Sequence, residues 1–93
     1  MENAELASLL FETADLMEIA GEDPFRIRSY RNGGAAIEVF PERVADIVTD
    51  PNRDVTTIRG IGKGLAAVLK EIVERGSFER RDLLLQKYPP TSL

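Results

Sequence analysis

The residues best suited to chemistry lie together in Thr57-Ile58-Arg59-Gly60-Ile61-Gly62-Lys63-Gly64-Leu65-Ala66. An apolar residue precedes Gly-Ile-Gly, and a lysine and a small residue then open a helical pattern. Gly60 supplies a positive φ for a tight turn between a short helix and a longer one. Ile61 points from the turn into the core and anchors it. Gly62 leaves the backbone N–H groups at the start of the next helix unshielded. Those donors and the positive end of the helix dipole make an anion site. Lys63 adds a mobile positive charge beside it. The segment is built to hold a backbone phosphate without reading a base.

Two other phosphate motifs fail on these residues. A P-loop needs Gly, four residues and then Gly-Lys-Ser/Thr after a buried strand. Gly60-Ile61-Gly62-Lys63-Gly64 has neither the hydroxyl nor the strand. A dinucleotide fingerprint needs a third glycine where Leu65 stands, and a βαβ unit around it. The bare alternative is a glycine-rich turn between helices with no ligand. Ile58, Leu65-Ala66 and the adjacent lysine favour the anion site over it.

Composition removes most other chemistry. Among 93 residues there is no cysteine and no histidine. Disulfides, Cys-ligated metals, Ser–His triads and their Cys–His relatives are therefore excluded. No apolar run approaches the length of a membrane span. The acidic start, Met1-Glu2-Asn3-Ala4-Glu5, is unlike a signal peptide, so the expected location is cytoplasmic. The net charge of −4 argues at first against a nucleic-acid partner. Residues 1–23, however, carry seven acids and no base, which leaves the remainder at +3. Arg26, Arg28 and Arg31 have no acid between them, and Arg59, Lys63 and Lys70 form a second acid-free stretch. A basic face opposite an acidic one fits this pattern, as do two solvated helix faces.

The elements that must position these residues read as helical throughout. Leu6, Leu9, Leu10, Ala14, Met17 and Ala20 recur at helical spacing, with Asn3 as N-cap and Gly21 as stop. Asp23-Pro24 reads as N-cap and first position of a second helix to about Val39, burying Phe25, Tyr30, Ile37 and Phe40. Gly33-Gly34 inside it costs roughly 1 kcal/mol per glycine relative to alanine. Either that helix is weak in the middle or something packs close to its backbone. Pro41 restarts a third helix through Val44, Ile47 and Val48, and residues 50–54 are loop-like. Leu65, Val68, Leu69, Ile72 and Val73 carry the next helix to Gly76. Ser77 caps a last helix with Phe78, Leu83, Leu84 and Leu85, which Pro89-Pro90 ends. The expected fold is an all-α compact bundle of about five to six short helices. It forms one domain over 1–93, with its hairpin at about 55–75.

The hairpin segment resembles the helix-hairpin-helix DNA-binding motif. The resemblance extends to Gly21-Glu22-Asp23-Pro24-Phe25-Arg26-Ile27-Arg28-Ser29-Tyr30-Arg31, to Phe40-Pro41-Glu42 and to Tyr88-Pro89-Pro90. These follow one another as in the N-terminal domain of bacterial family X DNA polymerases, which is similar to the N-terminal domain of DNA polymerase beta. The resemblance implies a helical module that binds gapped or nicked duplex at the 5′-phosphate side, without base specificity, in DNA repair. It also implies a monomer and a fragment of a longer polymerase whose catalytic domain lies elsewhere.

Carried over by position, Arg26 and Tyr30 fall in the family's 5′-phosphate pocket. Gly60, Gly62, Lys63, Gly64 and Arg59 form the hairpin's phosphate grip. The backbone carbonyls of Thr56, Ile58 and Ile61 fall where that family holds a monovalent cation, Na+ or K+. The family's Schiff-base lysine is replaced here by Val68, and a second pocket lysine by Gly64. An enzyme reading, a 5′-deoxyribose-phosphate or abasic-site lyase, would have to use Lys63 or Lys70 instead. A third reading is a helical protein-interaction domain.

Overall fold

The structure, a computed structural model, describes residues 1–88. Its first helix, α1 (Asn3–Ile19), is capped by Glu2 in a capping box with Glu5, not by Asn3. The Glu2 backbone N–H donates to the Glu5 carboxylate at 3.0 Å. Asn3 serves a distant helix instead. Its amide donates to the carbonyls of Phe40 at 3.3 Å and Glu42 at 2.8 Å, and its Oδ1 accepts the Val44 N–H at 2.8 Å. That last bond caps α3 (Val44–Thr49), which begins three residues after Pro41 rather than at it. The cap comes from across the fold, so no local proline is needed.

At the other end of α1, Gly21 adopts φ 74°. Its N–H donates to Glu18 O at 3.1 Å, and the Glu22 N–H to Met17 O at 2.9 Å. This pair of bonds is a Schellman closure. One residue on, the Asp23 carboxylate accepts the Phe25 N–H at 3.0 Å and Pro24 opens α2 (Pro24–Val39), as the sequence predicts. The buried stripe of α2 is Ile27, Tyr30, Gly33, Gly34 and Ile37. Phe25 is not in it and stands 78% exposed, against expectation. Two residues before Ile27 is about 200° around the helix, which turns Phe25 away from the core.

A 3-10 turn (Val55–Thr57) follows, capped by Asp54, which accepts the Thr56 N–H at 2.9 Å. Helix α4 (Lys63–Arg75) ends at Gly76 in the left-handed region, and α5 is Glu79–Lys87. Phe78, not Ser77, caps α5. Phe78 is buried and fixes the entry of the chain, while the Ser77 hydroxyl donates to Asp82 at 2.7 Å. The expected stop at Pro89-Pro90 lies outside the described residues. No strand occurs among those described. The fold is all-α, as expected.

Packing explains the two glycines inside α2. A Cβ at Gly34 would meet the Phe11 ring of α1 at 2.8 Å, and one at Gly33 would overlap the Leu65 side chain of α4. The Gly60 carbonyl also lies 3.6 Å from that second position. Helix α2 is thus the common wall for α1 and for the hairpin. The core runs along it through Leu6, Leu10, Met17, Ile37, Leu69 and Ile72, all fully buried.

Replacing Gly33 by valine therefore overpacks this wall and lowers stability by about 1–3 kcal/mol in urea titrations. Gly64→Ala meets nothing within 4 Å and should gain about 0.5 kcal/mol from helix propensity.

Candidate nucleic-acid interface

The hairpin turn is seated directly on α2. Gly60 has φ 99°, and a Cβ there would lie 3.3 Å from Ala36 Cβ and 3.5 Å from Asn32 O. Only glycine combines that dihedral with that proximity. Ile58 and Ile61 are buried beneath the turn, and the Ile61 N–H donates to Ile58 O at 3.1 Å. Gly62 then caps α4 in an extended conformation with no side-chain hydrogen bond, and nothing lies within 4 Å of where its Cβ would be. The first N–H groups of α4 are consequently open to an approaching anion.

A cleft of about 560 Å³ lies between this helix end, the first two turns of α2 and the start of α5. Arg26, Tyr30, Gly60, Gly62 and Gly64 all line it, so the structure brings five of the expected phosphate-binding residues together. Gly64, Val68 and Glu71 face it from α4 at spacings of four and three, one helical stripe. Arg59 and Lys63 are exposed at the turn but do not line the cleft. Lys70 is on the far side of α4, in a groove with Ile47, Val48, Asp54 and Ala67. Neither lysine proposed for lyase chemistry therefore lines the cleft, and Val68 is in it.

Tyr30 is 7% exposed, and its ring packs on Phe78 with centroids 6.2 Å apart. Burial raises the pKa of its phenol above the ordinary tyrosine value, and the Arg26 charge partly opposes that rise. The side chain therefore stays a neutral hydrogen-bond donor at any physiological pH. Arg26 has no ion-pair partner among the described residues. The cleft's acids are engaged elsewhere. Asp23 caps α2, and Glu71 accepts from Arg75 Nη2 at 2.8 Å and from the Glu79 N–H at 3.0 Å.

Sequence reasoning missed Arg80, which reaches the cleft from α5, and missed Phe25 as a cleft residue. Nothing local marks Arg80, because its place is set by the packing of α5 on α1. Phe25 was readable from its offset from the Ile27–Tyr30–Ile37 stripe. Of the carbonyls of Thr56, Ile58 and Ile61, that of Ile58 already accepts the Ile61 N–H at 3.1 Å.

A family model of the helix-hairpin-helix domain matches residues 1–78. The chain belongs to the helix-hairpin-helix family. It is also similar to the DNA polymerase/3'-5' exonuclease PolX of Bacillus subtilis (strain 168), with 28% identity over 89 residues. That match spans 96% of this chain but 15% of the relative's length. Membership of this domain family and likeness to a DNA polymerase support DNA binding. No helix among the described residues is long and apolar enough to cross a membrane.

The buried phenol gives a linkage test. Its folded pKa is raised, so its stability contribution is complete below the unfolded tyrosine value of about 10. Above that pH the unfolded chain loses the proton first, and stability falls. Stability measured from pH 8 to 11 should therefore drop less steeply in Tyr30→Phe, and the Arg26→Gln variant should show Tyr30 titrating still higher in ultraviolet absorbance.

Proposed function

We propose that this domain binds the DNA backbone without base specificity, at gaps or nicks. On this reading it grips a 5′-phosphate end and acts as a module of a family X DNA polymerase in repair. The observation that carries the reading is the convergence on one cleft of the open N-terminus of α4, the unpaired Arg26 and the neutral donor Tyr30. Such a site complements a terminal phosphate, which presents more charge and more acceptor oxygens than an internal one. Phe25, exposed at the lip, offers a flat apolar face on which a base freed from pairing can stack. Lys63 and Arg59 stand beside the turn as sequence-independent phosphate contacts. Na+ or K+ on the Thr56, Ile58 and Ile61 carbonyls would bridge the turn to a further DNA phosphate. The domain would act as a monomer.

Fluorescence anisotropy with gapped duplexes tests this reading. Affinity should be micromolar, the usual order for non-specific backbone binding, and it should fall steeply with salt. Lys63→Glu should weaken binding on every sequence and reduce the salt slope by about one. Gly62→Val should block phosphate approach while leaving the helical circular dichroism spectrum unchanged. A preference between base sequences above roughly tenfold would contradict backbone-directed binding, because it requires base-edge contacts.

Imine chemistry needs an amine in the cleft, and Val68 lines it while no lysine does. Borohydride reduction with an incised abasic duplex should therefore give no covalent adduct with this chain. An adduct abolished by Lys63→Ala or Lys70→Ala would reverse that conclusion.

A further inference from the structure

Helix α2 presents more to the cleft than Arg26 and Tyr30. Ser29 lines it too, and the three stand at positions i, i+3 and i+4, one stripe of that helix. Ser29 is exposed, and its hydroxyl makes no hydrogen bond among the described residues. The threonines of α1 and α3 behave otherwise. Thr13 donates to Leu9 O at 2.7 Å and Thr49 to Ala45 O at 3.0 Å, each back onto its own helix. Ser8, the other serine inside a helix, is also unbonded, but its groove holds no basic side chain. Ser29 alone joins a free hydroxyl to a cleft that already gathers cationic and neutral donors. Serine is a poorer helix former than alanine, so the helix is weakened here for a group that the fold does not use.

We propose that Ser29 reads the third non-bridging oxygen of a terminal phosphate, and so sets the domain's preference for a phosphate monoester over a diester. This inference rests on the proposed reading of the cleft. An internal phosphodiester has two non-bridging oxygens and a single negative charge. A terminal monoester has three such oxygens and about 1.5 to 2 negative charges at neutral pH. The open N–H groups of α4, Arg26 and Tyr30 already supply donors for two oxygens. One more donor gains a partner only when a third oxygen is present. A hydroxyl suits that task. It carries no charge, so it adds nothing to the general attraction for DNA. Its bond to an oxyanion is charge-assisted. When unused it is solvated, so it costs a diester nothing. Ser29 thus separates ends from interior backbone without contacting a base.

The test uses three gapped duplexes that differ only at the 5′ end of the gap, which carries a phosphate, a methyl phosphate or a hydroxyl. The methyl phosphate is a diester with two non-bridging oxygens. The parent domain should bind the phosphate duplex most tightly and the hydroxyl duplex least. Ser29→Ala should weaken binding of the phosphate duplex by about tenfold, the loss expected of one hydrogen bond to a charged group. Binding of the other two duplexes should stay unchanged. Alanine is the better helix former, so the urea midpoint of Ser29→Ala should not fall, and lost affinity is then not lost fold. An equal loss on the phosphate and methyl phosphate duplexes, or no loss on either, overturns the inference while leaving the cleft reading intact. So does a parent domain that binds phosphate and methyl phosphate ends alike but prefers both to hydroxyl. A parent domain that binds phosphate and hydroxyl ends alike overturns both readings.

Discussion

The arrangement depends first on how closely other elements approach the backbone of α2. At Gly34 a ring of α1 occupies the space of a side chain, and at Gly33 a side chain of α4 does the same. Two glycines in a helix interior weaken it by about 1 kcal/mol each through lost propensity. That loss is offset because both neighbours gain contact along the helix surface rather than standing off it. The same closeness fixes the hairpin. Gly60 sits against Asn32 and Ala36, so the open end of α4 can only lie beside the first turns of α2, where Arg26 and Tyr30 project. The site is a consequence of a packing distance.

Charge is distributed by the same logic. Half of the bases are tied to acids, and all of those are arginines at joints between elements. Arg31 bridges to Asp15 and Glu18 of α1 at 3.0 and 3.2 Å. Arg53 holds Glu42 at 2.8 Å, and Arg81 holds Glu12 at 2.9 Å. The acidic first quarter of the chain therefore has most of its carboxylates turned toward α2 and α5. Among the described residues, Arg26, Arg28, Arg59, Lys63, Lys70 and Lys87 are left without ion-pair partners, and three of these flank or follow the hairpin turn. A net charge of −4 thus coexists with a locally cationic surface.

What was legible in the sequence obeys rules that act within a few residues. The positive φ of Gly60, the helix end at Gly76, the Asp23-Pro24 helix start and the burial of Ile61 are all set by their immediate neighbours. The periodicity of α4 gave its core face and its end correctly for the same reason. Apart from Phe25, whose exposure follows from its own helical offset, the expectations that failed involve partners far along the chain. Asn3 is a good N-cap residue, but its amide is claimed by residues 40–44, and Glu2 takes its place. Ser77 yields to Phe78 because the burial of that ring against Tyr30 decides where α5 begins. Lys63 and Lys70 do share a helical face, as their spacing required. That the cleft lies on another face follows only from where α2 and α5 pack.

The composition of the cleft also shows how an acidic chain can hold an anion. Few of its donors carry charge. The N–H groups at the start of α4 act through alignment and the helix dipole, and the Tyr30 phenol acts as a neutral acid kept protonated by burial. Neutral donors need no counter-ion when the cleft is empty, whereas a buried unpaired guanidinium would be costly. The one arginine that enters from a largely buried position, Arg80, has a carboxylate beside it, and the one that stands free, Arg26, is exposed to water. The cleft is therefore stable without a ligand, because each of its charges is either solvated or paired.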